Sequence, residues 1–224
     1  MLKLWERSVL KKQHYILELI AQGEGARLDF KFEISDAAKI ARSLVAFANT
    51  NGGKLLIGVK DNGVIRGIRS EEEYYMIENA ALNFCKPPVK FTSKEWNLNG
   101  KKVLEVDIPF SDDYPHKAPD TNGRYKAYMR FEDQNILADG VLLKVWNKEK
   151  SKQEIQLVFT DDLQDILHFI EENEPITTND IRHQFKLSKF KTEHLLADLI
   201  IFDVVKIEVA ESSARFSLND KPTH

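Results

Sequence analysis

A single cysteine in 224 residues rules out an internal disulfide, and no cluster of Cys and His surrounds Cys85 to form a thiolate metal centre. That usage fits a reducing compartment, and Cys85 reads as a small buried apolar residue, not a nucleophile. The six histidines are scattered without HxxxH spacing and offer no metal site. No stretch approaches the roughly 20 apolar residues that span a bilayer. The opening MLKLWERSVLKK has neither an uninterrupted apolar core nor a small-residue cleavage site. The expectation is a cytoplasmic chain without membrane contact. A Gly-x4-Gly-Lys-Ser/Thr loop is also missing, so no P-loop is present, and ATP is not an expected cofactor. Charge of one sign is scarce overall, with a formal net charge of -3, but it is unevenly spread. Residues 1–157 hold 25 Lys and Arg against 22 Asp and Glu, whereas residues 158–224 hold 7 against 13. The first part is therefore the better partner for a polyanion.

What is there is enough apolar residue, 42%, for two separate cores. The segment WERSVLKKQHYILELIAQ has the period of an amphipathic helix that stops at Gly23. In LDFKFEI, residues 28–34, Leu28, Phe30, Phe32 and Ile34 alternate with Asp29, Lys31 and Glu33, as in a half-buried strand. Ser35 is a fitting N-cap for a helix whose stripe is Ala37, Ile40, Ala41, Leu44, Val45 and Ala48, closed by Asn51-Gly52-Gly53. The strand KLLIGVK then pairs with VIRGI across Asp61-Asn62-Gly63. Residues 71–85 form a helix that ends before Pro87-Pro88. VKFTSKEWNL and KKVLEVDIP make a hairpin across Asn99-Gly100, RYKAYMRF is a further strand, and ILADGVLLKVW closes the domain as a short helix.

The polar, aperiodic run NKEKSKQE marks a boundary. Beyond it, residues 161–173, 178–186 and 189–202 are three helical patterns with Thr177 and Ser188 as N-caps, followed by VVKIEV and ARFSL around Glu211-Ser212-Ser213. The fold class is thus α+β. A mixed β-sheet with packed helices occupies residues 1–147, a linker 148–157, and a small winged helix-turn-helix 158–224.

Three ordered stretches carry a family likeness. They are Glu24-Gly25-Ala26-Arg27-Leu28-Asp29-Phe30-Lys31, then Ala46-Phe47-Ala48-Asn49-Thr50-Asn51-Gly52-Gly53, then Leu56-Ile57-Gly58-Val59-Lys60-Asp61-Asn62-Gly63 with Gly67. Their order and spacing resemble the AlbA-like domain of Schlafen-type proteins, and Tyr128-Met129-Arg130 resembles that family's closing strand. The resemblance implies a nucleic-acid-binding fold whose partner is DNA or RNA, in a family also labelled divergent ATPase-like or transcription-regulating. Some eukaryotic relatives cut structured RNA with three acidic residues; by position these are Glu24, Asp29 and Asp61, with Lys31 beside them. Asp29 departs from the family's usual Glu by one methylene.

Three converging carboxylates would suit Mg²⁺ or Mn²⁺ and could activate water for phosphodiester attack, with Lys31 steadying a phosphate. The rival reading leaves Asp29 and Lys31 on a solvated sheet face, Glu24 at a strand start and Asp61 in a turn, and residue types alone favour it. Gly52 and Gly53 follow a helix instead of preceding one, which is the place of a C-cap. Basic and aromatic residues interleave in His116, Lys117, Arg124, Tyr125, Lys126, Tyr128 and Arg130, as expected of a surface that grips a backbone and stacks a base. Period two puts Arg124, Lys126, Tyr128 and Arg130 on one side; an ordinary solvated strand face is the alternative. In the second domain Lys189 and Lys191 open the helix that would read a groove, against an acidic background that equally suits dimerisation or protein contact. Two-fold pairing is the default for winged-helix regulators. The sequence therefore leads to a nucleic-acid-binding regulator, with a metal-dependent nuclease and a protein-binding accessory module as alternatives.

Overall fold

A computed structural model describes residues 14–151, 156–210 and 213–219. Outside them lie the first part of the expected N-terminal helix, residues 152–155 of the expected linker, and Glu211 and Ser212 of the last turn. The chain divides into two compact units, Met1–Leu137 and Ala138–His224.

The first unit is an α+β body around a mixed sheet of β1 (Leu28–Lys31), β2 (Gly53–Ile57), β3 (Thr92–Leu98) and β4 (Lys101–Ile108), in the spatial order β1-β2-β4-β3. Strands β1 and β2 are parallel, with Asp29 opposite Leu55, and the crossover between them is helix α2 (Ala37–Asn49). The hairpin of β3 and β4 turns at Asn99 and Gly100, both at positive φ, as the Asn-Gly pair predicts.

Alternation sends Leu28, Phe30, Leu56, Trp96 and Val103 to one face, where helix α1 (residues 14–22) adds Ile16. Leu55, Ile57, Leu104 and Val106 go to the other, beneath α2. Both faces of β1 are thus covered, and its polar side is not the solvated one the rival reading expects. Strand β1 also stops at Lys31, three residues short of the expected end. The N-cap of α2 is Asp36 and not Ser35: its carboxylate accepts from the amides of Ala38 at 2.8 Å and Lys39 at 3.2 Å. The expected pairing of KLLIGVK with VIRGI reduces to one bridge, Val59 with Ile65. Gly58, at φ +92°, bends the chain there and its carbonyl takes the amides of Arg66 and Gly67.

Helix α3 (Glu72–Asn79) and a wider π-helical turn, Ala80–Phe84, add Ile77, Ala80 and Ala81 to the α2 side. A second sheet of β5 (Lys117–Pro119), β6 (Tyr125–Phe131) and β7 (Gln134–Leu137) runs antiparallel in that order. Asn49 clasps it to the end of α2: its Nδ2 donates to the carbonyls of His116 at 2.9 Å and Tyr128 at 2.8 Å, and its Oδ1 accepts from the His116 amide at 2.7 Å.

The second unit contains α4 (Gly140–Ser151), α5 (Asp161–Asn173), α6 (Thr178–Phe185), α7 (Lys189–Ile201) and the antiparallel pair β8 (Val205–Glu208) and β9 (Arg215–Leu218). Thr177 and Ser188 cap α6 and α7 as their sequence positions suggest, Thr177 through a reciprocal capping box with Asp180. The division between units falls ahead of the boundary expected at 148–157. Val141 and Val145 of α4 join Leu163, Ile166, Ile170, Leu196 and Phe216 in one core, so that helix belongs to the second unit and not to the first. Ile136 and Leu137, expected to begin it, are strand because Ile136 pairs with Met129 of β6. Among the described residues, no helix is long and apolar enough to cross a membrane.

Candidate functional site

The side chains that line the carboxyl end of β1 form a charged cluster beneath a cavity of about 460 Å³. Asp29, only 4% exposed, is its centre. Its Oδ1 accepts from Nη2 of Arg130 at 3.4 Å, and Nζ of Lys31 lies 2.8 Å from its Oδ2. The Lys31 contact is ionic without hydrogen-bond geometry, so the buried Oδ2 has no hydrogen-bond partner among the described residues. Glu24 lies alongside, its Oε1 accepting from the amide of Phe30 at 2.7 Å and its carboxyl within reach of Asp29. Burial first, then the Asp29 carboxyl, raise the Glu24 pKa from its ordinary value.

Two of the three carboxylates singled out by the family likeness therefore meet. The third does not join them: Asp61 sits on an exposed turn closed by the Gly63 amide on the Lys60 carbonyl. Among the described residues, no group of three or more His, Cys, Asp or Glu side chains is placed to hold a metal ion. Asp29 is instead neutralised by two protein cations, so this donor set does not fit a three-carboxylate Mg²⁺ or Mn²⁺ centre.

Arg130 is likewise not the solvent-facing grip that strand alternation suggested. It is 4% exposed, and its guanidinium donates to the carbonyl of Gly25 at 3.1 Å, to that of Leu28 at 3.4 Å and to Oδ1 of Asn135 at 3.1 Å. The ring of Phe47 lies 5.0 Å from it. Arg130 thus ties β6 to the segment before β1. Tyr128, next on that side, is a buried wall of the cavity whose hydroxyl pKa is raised by burial. Only Lys126 and Arg124 of the four reach solvent.

Lys117 and Tyr125 are on the opposite side of the β5–β6 pair, since Lys117 stands across from Ala127 and Tyr125 from Pro119. Lys86, which residue patterns did not single out, places its ammonium 4.0 Å from the centre of the Tyr125 ring. His116 is buried, with Nδ1 2.8 Å from the Pro87 carbonyl and Nε2 2.7 Å from Oγ of Ser111, so it is a strut and not part of the surface. Gly52 has φ +65°, and a Cβ there would lie 2.7 Å from the Ile108 carbonyl oxygen. A Cβ on Gly53 would lie 2.3 Å from the Phe47 ring. Close packing requires this glycine pair.

In the second unit Lys189 and Lys191 are exposed at the start of α7. Further along, α4 lies against the same helix. Lys144 pairs with Glu193 at 2.7 Å, Lys148 pairs with Asp198, and Lys144 sits 5.3 Å from the Phe190 ring. Helical spacing puts Thr192, Leu196 and Leu199 toward the core and Phe190, Glu193 and Asp198 around the side that α4 occupies.

A family model described as Schlafen, AlbA_2 matches residues 24–139, which span the sheet, helix α2 and the Asn49 and Arg130 clasps. The chain belongs to this family. The Schlafen AlbA_2 match ends two residues beyond the division between the units, so the buried cluster and both β5–β6 faces lie inside it. Two solved structures are also similar. One is the crystal structure of the DIP2311 protein from Corynebacterium diphtheriae, at 19% identity and a TM-score of 0.44, with 65% of this chain and 29% of that chain covered. The other is the solution structure of the N-terminal domain of a putative ATP-dependent DNA helicase RecG-related protein from Nitrosomonas europaea, at 22% identity and a TM-score of 0.39, with 55% of this chain and 94% of that chain covered.

Proposed function

We propose that this Schlafen AlbA_2 protein binds nucleic acid, DNA or RNA, through the exposed basic residues of its β5–β6 strand pair. The observation that carries this reading is the exposure of three cations on one short strand pair, Arg124 and Lys126 on one face and Lys117 on the other beside the Lys86–Tyr125 stack, none of them in an ion pair with a described residue. Exposed cations without a close ion-pair partner are available to phosphates, and a lysine stacked on a partly exposed ring is a place where a base can also settle. Family membership and the more basic balance of residues 1–157 support the same reading.

We read the second unit as a winged helix-turn-helix, supported by the order of three capped helices and an antiparallel strand pair. Its acidic balance and the packing of α4 along α7 favour a dimerising or regulatory role over groove reading. A transcription regulator that holds nucleic acid by its first unit and pairs by its second combines these features. Fluorescence anisotropy of labelled oligonucleotides across a salt series tests the binding. Joint replacement of Lys117, Arg124 and Lys126 by alanine should weaken binding and reduce the slope of log K against log salt by about 2, at roughly 0.7–0.9 per phosphate contact. An unchanged slope would remove this surface from consideration. Replacing Lys189 and Lys191 by alanine should leave the slope intact.

A further inference from the structure

The cavity above the Asp29 cluster has a composition that backbone gripping does not require. Helix α2 contributes Lys39 and Arg42, three residues apart on its outer side, and the β6–β7 hairpin contributes Asp133 of its turn and Gln134 at the start of β7. Arg42 donates its Nε to the Pro119 carbonyl at 3.1 Å, which fixes the guanidinium plane and leaves its two Nη groups without a described partner. Lys39 and Asp133 are exposed and form no ion pair with a described residue. One side of the cavity therefore offers a fork and an ammonium, the groups that bind phosphate. The hairpin offers a carboxylate and an amide, which together present both acceptor and donor.

The hairpin is also held in place. Asn135 donates from Nδ2 to Oγ of Ser43 on α2 at 2.9 Å and accepts at Oδ1 from Arg130 at 3.1 Å, so the two sides of the cavity are tied at a fixed spacing. At about 460 Å³ the space falls in the range of sites for a single small ligand. A duplex cannot enter it. One nucleotide swung out of its stack can.

We propose that this cavity takes one unstacked nucleotide of a bound strand, its phosphate at Arg42 and Lys39 and its base edge at Asp133 and Gln134. The inference rests on the nucleic-acid reading above and gives it a substrate class, single-stranded segments or ends in preference to continuous duplex. Ser43 and Tyr128 line the same space and add a hydroxyl and an aromatic wall.

The test uses the intact chain and two sets of probes. The first set is a nucleoside 5′-monophosphate, the corresponding nucleoside and inorganic phosphate, followed by amide chemical-shift changes. The monophosphate should perturb α2 and the β6–β7 turn, and Lys39→Ala and Arg42→Lys should each weaken it about tenfold, the usual scale for losing one charge-assisted contact. Arg42→Lys keeps the charge but removes the fork together with the Nε bond to Pro119, so the exposed Lys39 provides the check against a fold defect. Inorganic phosphate that binds as tightly as the monophosphate would overturn the nucleotide assignment.

The second set compares a single-stranded oligonucleotide with its duplex. Lys39→Ala and Asp133→Asn should lower affinity for the single strand and leave the duplex unchanged; an equal loss for both would overturn the proposal. The triple replacement at Lys117, Arg124 and Lys126 should weaken strand binding and spare the monophosphate. Loss of strand binding with the mononucleotide site intact would thus report on the β5–β6 surface alone. Strand binding without any mononucleotide binding would overturn the cavity alone.

Discussion

Among single residues, the telling position is Glu24, where a carboxyl, a buried carboxylate and a backbone amide compete. Glu24 accepts from the Phe30 amide and faces Asp29, whose Oδ2 has no hydrogen-bond partner among the described residues. The folded protein therefore holds a proton on Glu24 more tightly than the unfolded chain does. Because the folded pKa is raised, the associated stability is fully present below the unfolded value, about 4.3, and is lost as pH rises through the folded one. Glu24→Gln mimics the protonated state: its carbonyl can still accept from Phe30, and its amide can donate to Asp29. The variant should match the parent near pH 4 and exceed it near pH 7 in urea denaturation midpoint. A parent that gains on the variant between those values would contradict this account. Arg130 shows the converse. Its side chain satisfies the backbone before β1, so replacing it would report on folding before it reported on binding.

Among helices and strands, what could be read in the sequence was what is decided locally. Thr177 and Ser188 cap helices because their own side chains reach amides three residues on, and Asn99-Gly100 turns a hairpin because both residues accept positive φ. Burial of Asp29 and Arg130 was not legible, since they meet across 101 residues and an alternating strand gives no sign of which polar face will be covered. Nor was the partner of α4, whose apolar positions fit either neighbour. Its ion pairs with α7 yield a prediction: Lys144→Ala leaves the buried Glu193 with Lys189, at 3.7 Å, as its one remaining cation among the described residues and should cost about 1–2 kcal/mol of stability. Adding Glu193→Gln to that variant should recover part of the loss, because it removes the charge that burial penalises. Chemical denaturation of both variants measures this. No recovery in the double variant would mean that Lys144 acts through packing of its methylenes.

For the molecule as a whole, the division of the chain decides which pieces can fold. Polarity suggests a boundary in NKEKSKQE, yet polar residues on the outer side of α4 are compatible with an inner side that belongs to a core. Val141 is fully buried and Val145 nearly so, packed with Leu163, Ile166 and Leu199. A chain beginning at residue 148 would strip both valines from that core, together with the Lys144 partner of Glu193. A chain beginning at residue 138 keeps them. At about 1.5–3 kcal/mol for each fully buried valine, the difference amounts to roughly 3–6 kcal/mol, a large share of what so small a unit has available. Residues 138–224 should therefore unfold cooperatively in urea with dispersed amide resonances, whereas residues 148–224 should show a much lower midpoint or no transition at all. Equal midpoints for the two would mean that α4 rests on the second unit without completing it. The polar run would then be the true boundary.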